Sequence, residues 1–301
     1  MLRKFEEVLK KAKSAKKVKL SVAAAQDPYV LKSVYTAYRE GIADAVLVGR
    51  QNEILHSLEE CGIPLGLFEI VPVEGGLAEQ SAKAVELVAD GKAQVIMKGG
   101  VDTAILLKEV LREHRLRTGR TISLIGIVET EHYPKFLLIT DPGMIIKPDL
   151  DQKKAIIINA LEITRALEIE VPKVAVLCAR EKVNPKMQET MDAQSLVKMN
   201  ERGELKGCLV GGPFALDNAV SLEAAKHKGI NHSVAGDADI FLVPDIVSGN
   251  ILYKSLVFLS HAKSAGIVVG AKVPIVLTSR ADSEETKLYS IAVAVLMSQR
   301  T

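Results

Sequence analysis

Apolar residues recur along the chain in two rhythms. Short, nearly uninterrupted β-branched runs stand at 19–25 (KLSVAAA), 45–49 (AVLVG), 68–73 (FEIVPV) and 94–99 (QVIMKG). Others follow at 173–179 (KVAVLCA), 240–244 (IFLVP), 266–271 (GIVVGA) and 273–279 (VPIVLTS). Between them, segments such as PYVLKSVYTAYREG and EQSAKAVELVADG place apolar residues at i, i+3 and i+4 and end in Gly, as amphipathic helices do. Apolar strands alternating with such helices predict an α/β chain with mostly parallel sheets covered on both faces. TISLIGIVE and KFLLITD are separated only by TEHYP. That is too short for a helical crossover and predicts an antiparallel hairpin.

At 301 residues the chain exceeds the usual size of a single core, and two α/β domains are expected. The hairpin opens the second near residue 126, giving 1–125 plus 273–301 as the first domain and 126–272 as the second. Aromatic residues make up 4% and Trp is absent, which argues against stacking platforms for nucleic acid. Lys+Arg 39 against Asp+Glu 37 leaves a net charge of +2, room for a local basic site but not for a general nucleic-acid binder. Cys61, Cys178 and Cys208 have no CxxC spacing and read as free thiols in a reducing compartment. With no apolar leader and no long apolar window, the expectation is a soluble cytoplasmic protein without a membrane partner.

Ligands of open α/β sheets bind beyond the carboxyl ends of strands, so chemistry is sought where the apolar runs stop. VIMKGGVDTAILLKEVL places Lys98 at a strand end, Gly99 and Gly100 after it, and Asp102 or Thr103 at the cap of the next helix. Backbone N–H groups, a helix N-terminus and a lysine suit a phosphate or carboxylate; a glycine turn with a solvated lysine is the competing reading. LITDPGMIIKPD, with Asp141-Pro142-Gly143, reads as a turn. VPDIVSGNILYKSL holds Asp245, Ser248, Gly249, Asn250, Tyr253 and Lys254. A helix beginning near 248–250 sets Asn250 and Lys254 on one face, and a lysine at a helix start calls for an anionic partner.

PIVLTSRADSEETKLYSI places Ser279 and Arg280 at a strand end, a hydroxyl beside a guanidinium that can clamp an oxyanion with two bonds. Asp282 and Glu285 stand at capping-box spacing, with a helix starting at Asp282 or Ser283. HRLRTGRT adds Arg115, Arg117 and Arg120 in a basic loop, either a solvated connector or the cation for a phosphate. GxxxxGK[ST], GxGxxG, GxSxG, HxH and HExxH are all absent, so no P-loop, dinucleotide site, hydrolase triad or metal site is expected.

KGGVDTAILLK, VPDIVSGNILYKSL and IVLTSRADSEE resemble, in order and over nearly the whole chain, the strand-end motifs of the phosphate acetyl- and butyryltransferases. The compact length and the MKGGVDT variant are more similar to the butyryl branch. The resemblance implies two three-layer α/β/α domains with the active site in the cleft between them, a homo-oligomer, and the reaction butyryl-CoA + phosphate ⇌ butyryl phosphate + CoA. It implies coenzyme A as a co-substrate, with no tightly bound cofactor, and acyl-CoA and phosphate as the small-molecule partners. Carried over residue by residue, Ser279 lies near the CoA thiol and Arg280 holds phosphate. Lys98, Gly99, Gly100, Thr103, Arg120, Asp245, Ser248, Gly249, Asn250, Tyr253 and Lys254 line the substrate sites. Thr286 stands where acetyl-branch relatives carry an acidic residue, which leaves the base among Asp282, Glu284 and Glu285. Acyl transfer between two good leaving groups needs no covalent enzyme nucleophile, only positioning and stabilisation of developing charge, with backbone N–H groups near Gly99 and Gly100 for the carbonyl oxygen. The alternatives are a phosphate acetyltransferase, a metal- and NAD-dependent 2-hydroxy-acid dehydrogenase of similar fold, and a non-catalytic CoA-binding module.

Overall fold

The structure, a computed structural model, describes residues 1–279 and 281–299. The chain forms two compact units: Phe5–Arg120 with Ala265–Thr301, here the split unit, and Thr121–Ser264 with Met1–Lys4, here the inserted unit. The first leg of the split unit runs α1 (Phe5–Ser14), β1 (Val18–Ala23), α2 (Pro28–Arg39), β2 (Ala43–Gly49) and α3 (Gln51–Glu60). It continues through β3 (Glu69–Pro72), α4 (Leu77–Ala89), β4 (Val95–Lys98) and α5 (Thr103–Arg112). The inserted unit follows with β5 (Ser123–Glu129), β6 (Leu137–Thr140), α6 (Leu150–Ala166), β7 (Lys173–Leu177) and α7 (Gln188–Glu201). Then come β8 (Leu209–Phe214), α8 (Leu216–Val220), α9 (Leu222–His227), β9 (Ile240–Leu242) and α10 (Ile246–Lys254). β10 (Lys263–Val269) carries the chain back, and β11 (Ile275–Val276) and α11 (Glu284–Ser298) complete the split unit.

In the split unit the strands lie in the order β3-β2-β1-β4-β11-β10, parallel except for the β10–β11 pair. α11 packs on α1 and α2 and is buried from Tyr289 to Met297, as a helix apolar all round must be. In the inserted unit the order is β5-β6-β9-β7-β8. The expected hairpin is present there, β5 antiparallel to β6 with Ile125 opposite Thr140, and the other pairs are parallel.

The hydrophobic pattern misses β8 because LVGGPF carries the Gly and Pro punctuation of a turn. At an edge, paired to β7 alone, a strand tolerates that proline. Conversely, VPIVLTS shrinks to the two residues of β11, since Pro274 cannot donate to a ladder. No helix among the described residues is long and apolar enough to cross a membrane.

Candidate active site

Parallel strands deliver their carboxyl ends to one edge of a sheet, which gathers residues distant in sequence. In the split unit β1, β4 and β11 are adjacent and parallel, so Ala24–Asp27, Lys98–Gly100 and Leu277–Ser279 emerge at the same edge. Lys98 is 6% exposed and turns back on its own loop, Nζ donating to the carbonyls of Gly99 at 3.4 Å and Val101 at 3.2 Å. Gly99 is glycine because a Cβ would stand 2.3 Å from Ala24 O and 2.4 Å from Ala23 O. This corrects the expectation for its N–H group. Gly99 N–H donates to Ala23 O at 2.9 Å and Gly100 N–H to Ala24 O at 2.8 Å, extending the β1–β4 pairing instead of facing a ligand. At this edge α5 opens at Thr103 without a side-chain cap hydrogen bond, so N–H groups of its first turn have no intrahelical partner.

α11 starts at one of the two positions expected, but without the capping box that its spacing suggested. The N-cap is Ser283, whose Oγ accepts the N–H of Thr286 at 3.1 Å, so the Asp282–Glu285 capping box does not form. Asp282 instead closes the preceding turn. Its Oδ2 accepts the N–H of Ser279 at 2.6 Å, and its own N–H reaches Ser279 O at 3.2 Å. Ser279 is exposed, and its Oγ accepts the N–H of Ala281 at 3.3 Å. Arg280 lies outside the described residues. Glu284 faces Lys32 at 3.8 Å, and Glu285 accepts the Tyr289 hydroxyl at 3.1 Å. Of the three carboxylates considered as the base, Asp282 is therefore the one bonded to Ser279.

Two residues at this edge escaped the sequence reading. Asp27 caps α2, Oδ1 accepting the N–H groups of Tyr29 at 2.9 Å and Val30 at 3.3 Å. Its signal was the Asp-Pro step closing the apolar run AAAQDPY. Lys287 is 2% exposed, with Nζ donating to Asp282 O at 2.5 Å. Burial pushes its ammonium below the usual lysine range, while the carboxylates of Asp282, Asp27 and Glu284 oppose that shift. Its signal was a single lysine at the head of the otherwise apolar stretch LYSIAVAVLM.

In the inserted unit β6 and β9 are adjacent and parallel, and their ends bring Asp141-Pro142-Gly143 to Asp245–Asn250. Asp245 is the N-cap of α10, accepting the N–H of Ser248 at 2.8 Å and its hydroxyl at 2.8 Å. The backbone N–H of Ser248 holds the Asp245 carboxyl below its usual range, partly opposed by burial. Gly249 allows the helix to sit against the preceding strand end, where a Cβ would meet Val243 Cγ2 at 2.8 Å and Asp141 O at 2.9 Å. Asn250 Nδ2 donates to Pro142 O at 3.1 Å. Asp141 is buried and accepts the N–H groups of Gly143 at 2.8 Å, Met144 at 2.9 Å and Leu124 at 3.2 Å. Burial raises its carboxyl pKa against the pull of those donors.

α10 begins at Ile246, earlier than its spacing suggested, so Lys254 is its last residue. Lys254 is exposed, and the helix runs on from it as a π-helix over Ser255–Leu259, so the lysine does not stand at a helix start and its position does not call for an anion. Tyr253 packs beneath β5, its ring filling the space a Cβ on Gly126 would need. In the basic loop, Arg115 pairs with Asp90 at 2.7 Å and with Glu113 at 2.9 Å, and Arg117 Nε donates to Leu111 O. Arg120 is exposed, its N–H donating to Thr118 Oγ1 at 3.2 Å. Among the described residues, no group of three or more His, Cys, Asp or Glu side chains is arranged to hold a metal ion.

Residues 73–295 match the family model described as phosphate acetyl/butaryl transferase. The chain is 48% identical over 298 residues to a phosphate butyryltransferase of Clostridium acetobutylicum, covering 99% of each chain. It is 48% identical over 297 residues to a phosphate acetyltransferase of Thermotoga maritima, covering 97% of this chain and 99% of that one. A crystal structure of a branched-chain phosphotransacylase from Enterococcus faecalis superposes with a TM-score of 0.83 at 36% identity, covering 93% of this chain and 99% of that chain. With matches of this extent behind the strand-end geometry, the chain belongs to the phosphate acetyl/butyryl transferase family.

Proposed function

We propose that this protein is a phosphate butyryltransferase catalysing butyryl-CoA + phosphate ⇌ butyryl phosphate + CoA. The observation that carries the reading is the end-to-end likeness to the Clostridium acetobutylicum enzyme. A phosphate oxygen attacks the thioester carbonyl, the tetrahedral intermediate collapses, and the CoA thiolate leaves. No acyl-enzyme forms. Arg280 holds phosphate and Ser279 meets the sulfur. Asp282, fastened to the Ser279 backbone, is the best placed of the carboxylates to take the thiol proton in the reverse direction. The first turn of α5, beside buried Lys98, suits the oxyanion. Thr103 and Arg120 in the split unit, and Asn250 and Lys254 in the inserted unit, are further substrate-binding residues, while Asp245, Ser248 and Gly249 shape the helix start that carries Asn250.

Phosphate acetyltransferase is the second reading, supported by equal identity to the Thermotoga maritima enzyme. Coenzyme A is a co-substrate here and not a resident cofactor. The protein works as a homo-oligomer in the cytoplasm. The first point is supported by Val247, Ile251, Phe258 and Leu259, apolar side chains 63%, 62%, 54% and 79% exposed along α10 and the π-helical segment Ser255–Leu259 that continues it. The second is supported by the free thiols of Cys61, Cys178 and Cys208.

The test is thiol release from acetyl-, propionyl-, butyryl- and isobutyryl-CoA, each with and without phosphate. Phosphate-dependent release with the highest kcat/KM for butyryl-CoA is expected. A maximum at acetyl-CoA selects the second reading, and no phosphate-dependent release with any thioester sinks both.

A further inference from the structure

A lysine near the start of a helix opposes the helix dipole, and burying its ammonium costs hydration energy. Lys287 does both, sitting in the opening turns of α11 at 2% exposure. Its ammonium is spent on one backbone atom, the carbonyl of Asp282 at 2.5 Å. The same residue's carboxylate holds the N–H of Ser279 at 2.6 Å, and the Asp282 N–H returns to Ser279 O at 3.2 Å. The chain from buried cation to Asp282 to Ser279 therefore fastens both ends of a short turn. At its other side the Lys287 N–H donates to Ser283 O at 3.2 Å, which ties that turn to the helix. The carboxylates of Asp282, Asp27 and Glu284 lie close enough to act on the ammonium, and Glu284 is itself engaged by Lys32 of α2.

We propose that Lys287 is a positioning residue for acyl transfer: by gripping the Asp282 carbonyl it sets where Ser279 stands. The proposal rests on the acyl-transfer reading above. Its effect passes through Asp282 and Ser279, so Lys287 touches neither substrate.

The experiment is a double-mutant cycle in phosphate-dependent thiol release from butyryl-CoA. Lys287→Met keeps an unbranched apolar stem, one atom shorter, and removes the charge. It is expected to lower kcat by about 10–100-fold, the scale of a small misplacement of a reacting group, with the KM for butyryl-CoA within about twofold of wild type. Lys287→Arg is expected to recover part of kcat. In a Ser279→Ala background, Lys287→Met should cost less than about threefold, because the group it positions is gone. Circular dichroism melts accompany every variant, and if Lys287→Met does not fold the same cycle is run with Lys287→Arg. A folded Lys287→Met with kcat within about twofold of wild type overturns the proposal. So does an equal loss in both backgrounds, which makes Lys287 independent of Ser279. A wild-type protein without phosphate-dependent release sinks the acyl-transfer reading and this inference together, whereas an active wild type with an unaffected variant sinks this inference alone.

Discussion

Gly99 shows how a residue chosen by packing can pass for one chosen by a ligand. A glycine pair after a strand reads as a backbone cleared for phosphate, yet the atoms a Cβ would strike are carbonyl oxygens of the neighbouring strand end. Those atoms belong to main chain held in a parallel ladder and cannot swing aside. Gly99→Ala is expected to destabilise the ligand-free protein by at least the 1–3 kcal/mol typical of overpacking, read as a lowered urea midpoint. Gly49→Ala is the control. Its nearest obstacle is the end of the Gln26 side chain at 2.5 Å, which can rotate, so a smaller loss is expected there. Equal melting of Gly99→Ala and wild type would mean that the pairing at Ala23 and Ala24 yields easily. Ser279, by contrast, is exposed, and the chemistry assigned to it comes from its place at a strand end in the sequence.

At the scale of elements, Asp245, Ser248, Gly249 and Asn250 are joined by one local task. Asp245 caps α10, Ser248 returns its hydroxyl to that cap, Gly249 lets the helix approach Asp141, and Asn250 ties it to Pro142. Asp245→Ala is expected to cost about 0.5–2 kcal/mol at neutral pH, as losses of an N-cap do. The carboxyl is held below its usual value of 3.8 by the Ser248 N–H. Its stabilisation is therefore fully present above that value and is lost as pH falls through the lower folded value. The gap between wild type and Asp245→Ala should narrow as urea titrations move from pH 7 toward strongly acidic solution. A gap that widens on acidification would show that the carboxylate is not the stabilising form. This arrangement was half legible. The turn-and-helix junction stood out in the sequence, but the partner loop lies more than a hundred residues away and only the β6–β9 pairing brings it there.

Across the whole molecule, the split unit is assembled from the two ends of the chain. The ring of Phe5 on α1 stacks on that of Tyr289 on α11, centroids 4.3 Å apart and planes 8° from parallel, and Phe5 is wholly buried. Gln299 adds a bond from α11 to Lys16 O at 2.9 Å. Phe5→Ala is expected to cost about 3–5 kcal/mol, seen as a lowered urea midpoint, with activity per folded molecule retained. A midpoint unchanged within error would mean that α1 contributes little to closing the unit.

The sequence by itself determined the α/β class, the run of strands and helices, the β5–β6 hairpin and the strand ends at which to look for chemistry. Each of these depends on spacing along the chain: apolar runs of strand length, a 3.6-residue period between them, and glycine where helices stop. Only the tertiary structure decided which strand ends share an edge, since a parallel sheet orders its strands by crossovers that leave no mark in local spacing. Hence Asp27 and Lys287 came to stand with Asp282, and the N–H groups of Gly99 and Gly100 went to β1. β8 was hidden for a related reason: its Gly-Gly-Pro is a breaker anywhere except at the sheet edge where folding placed it.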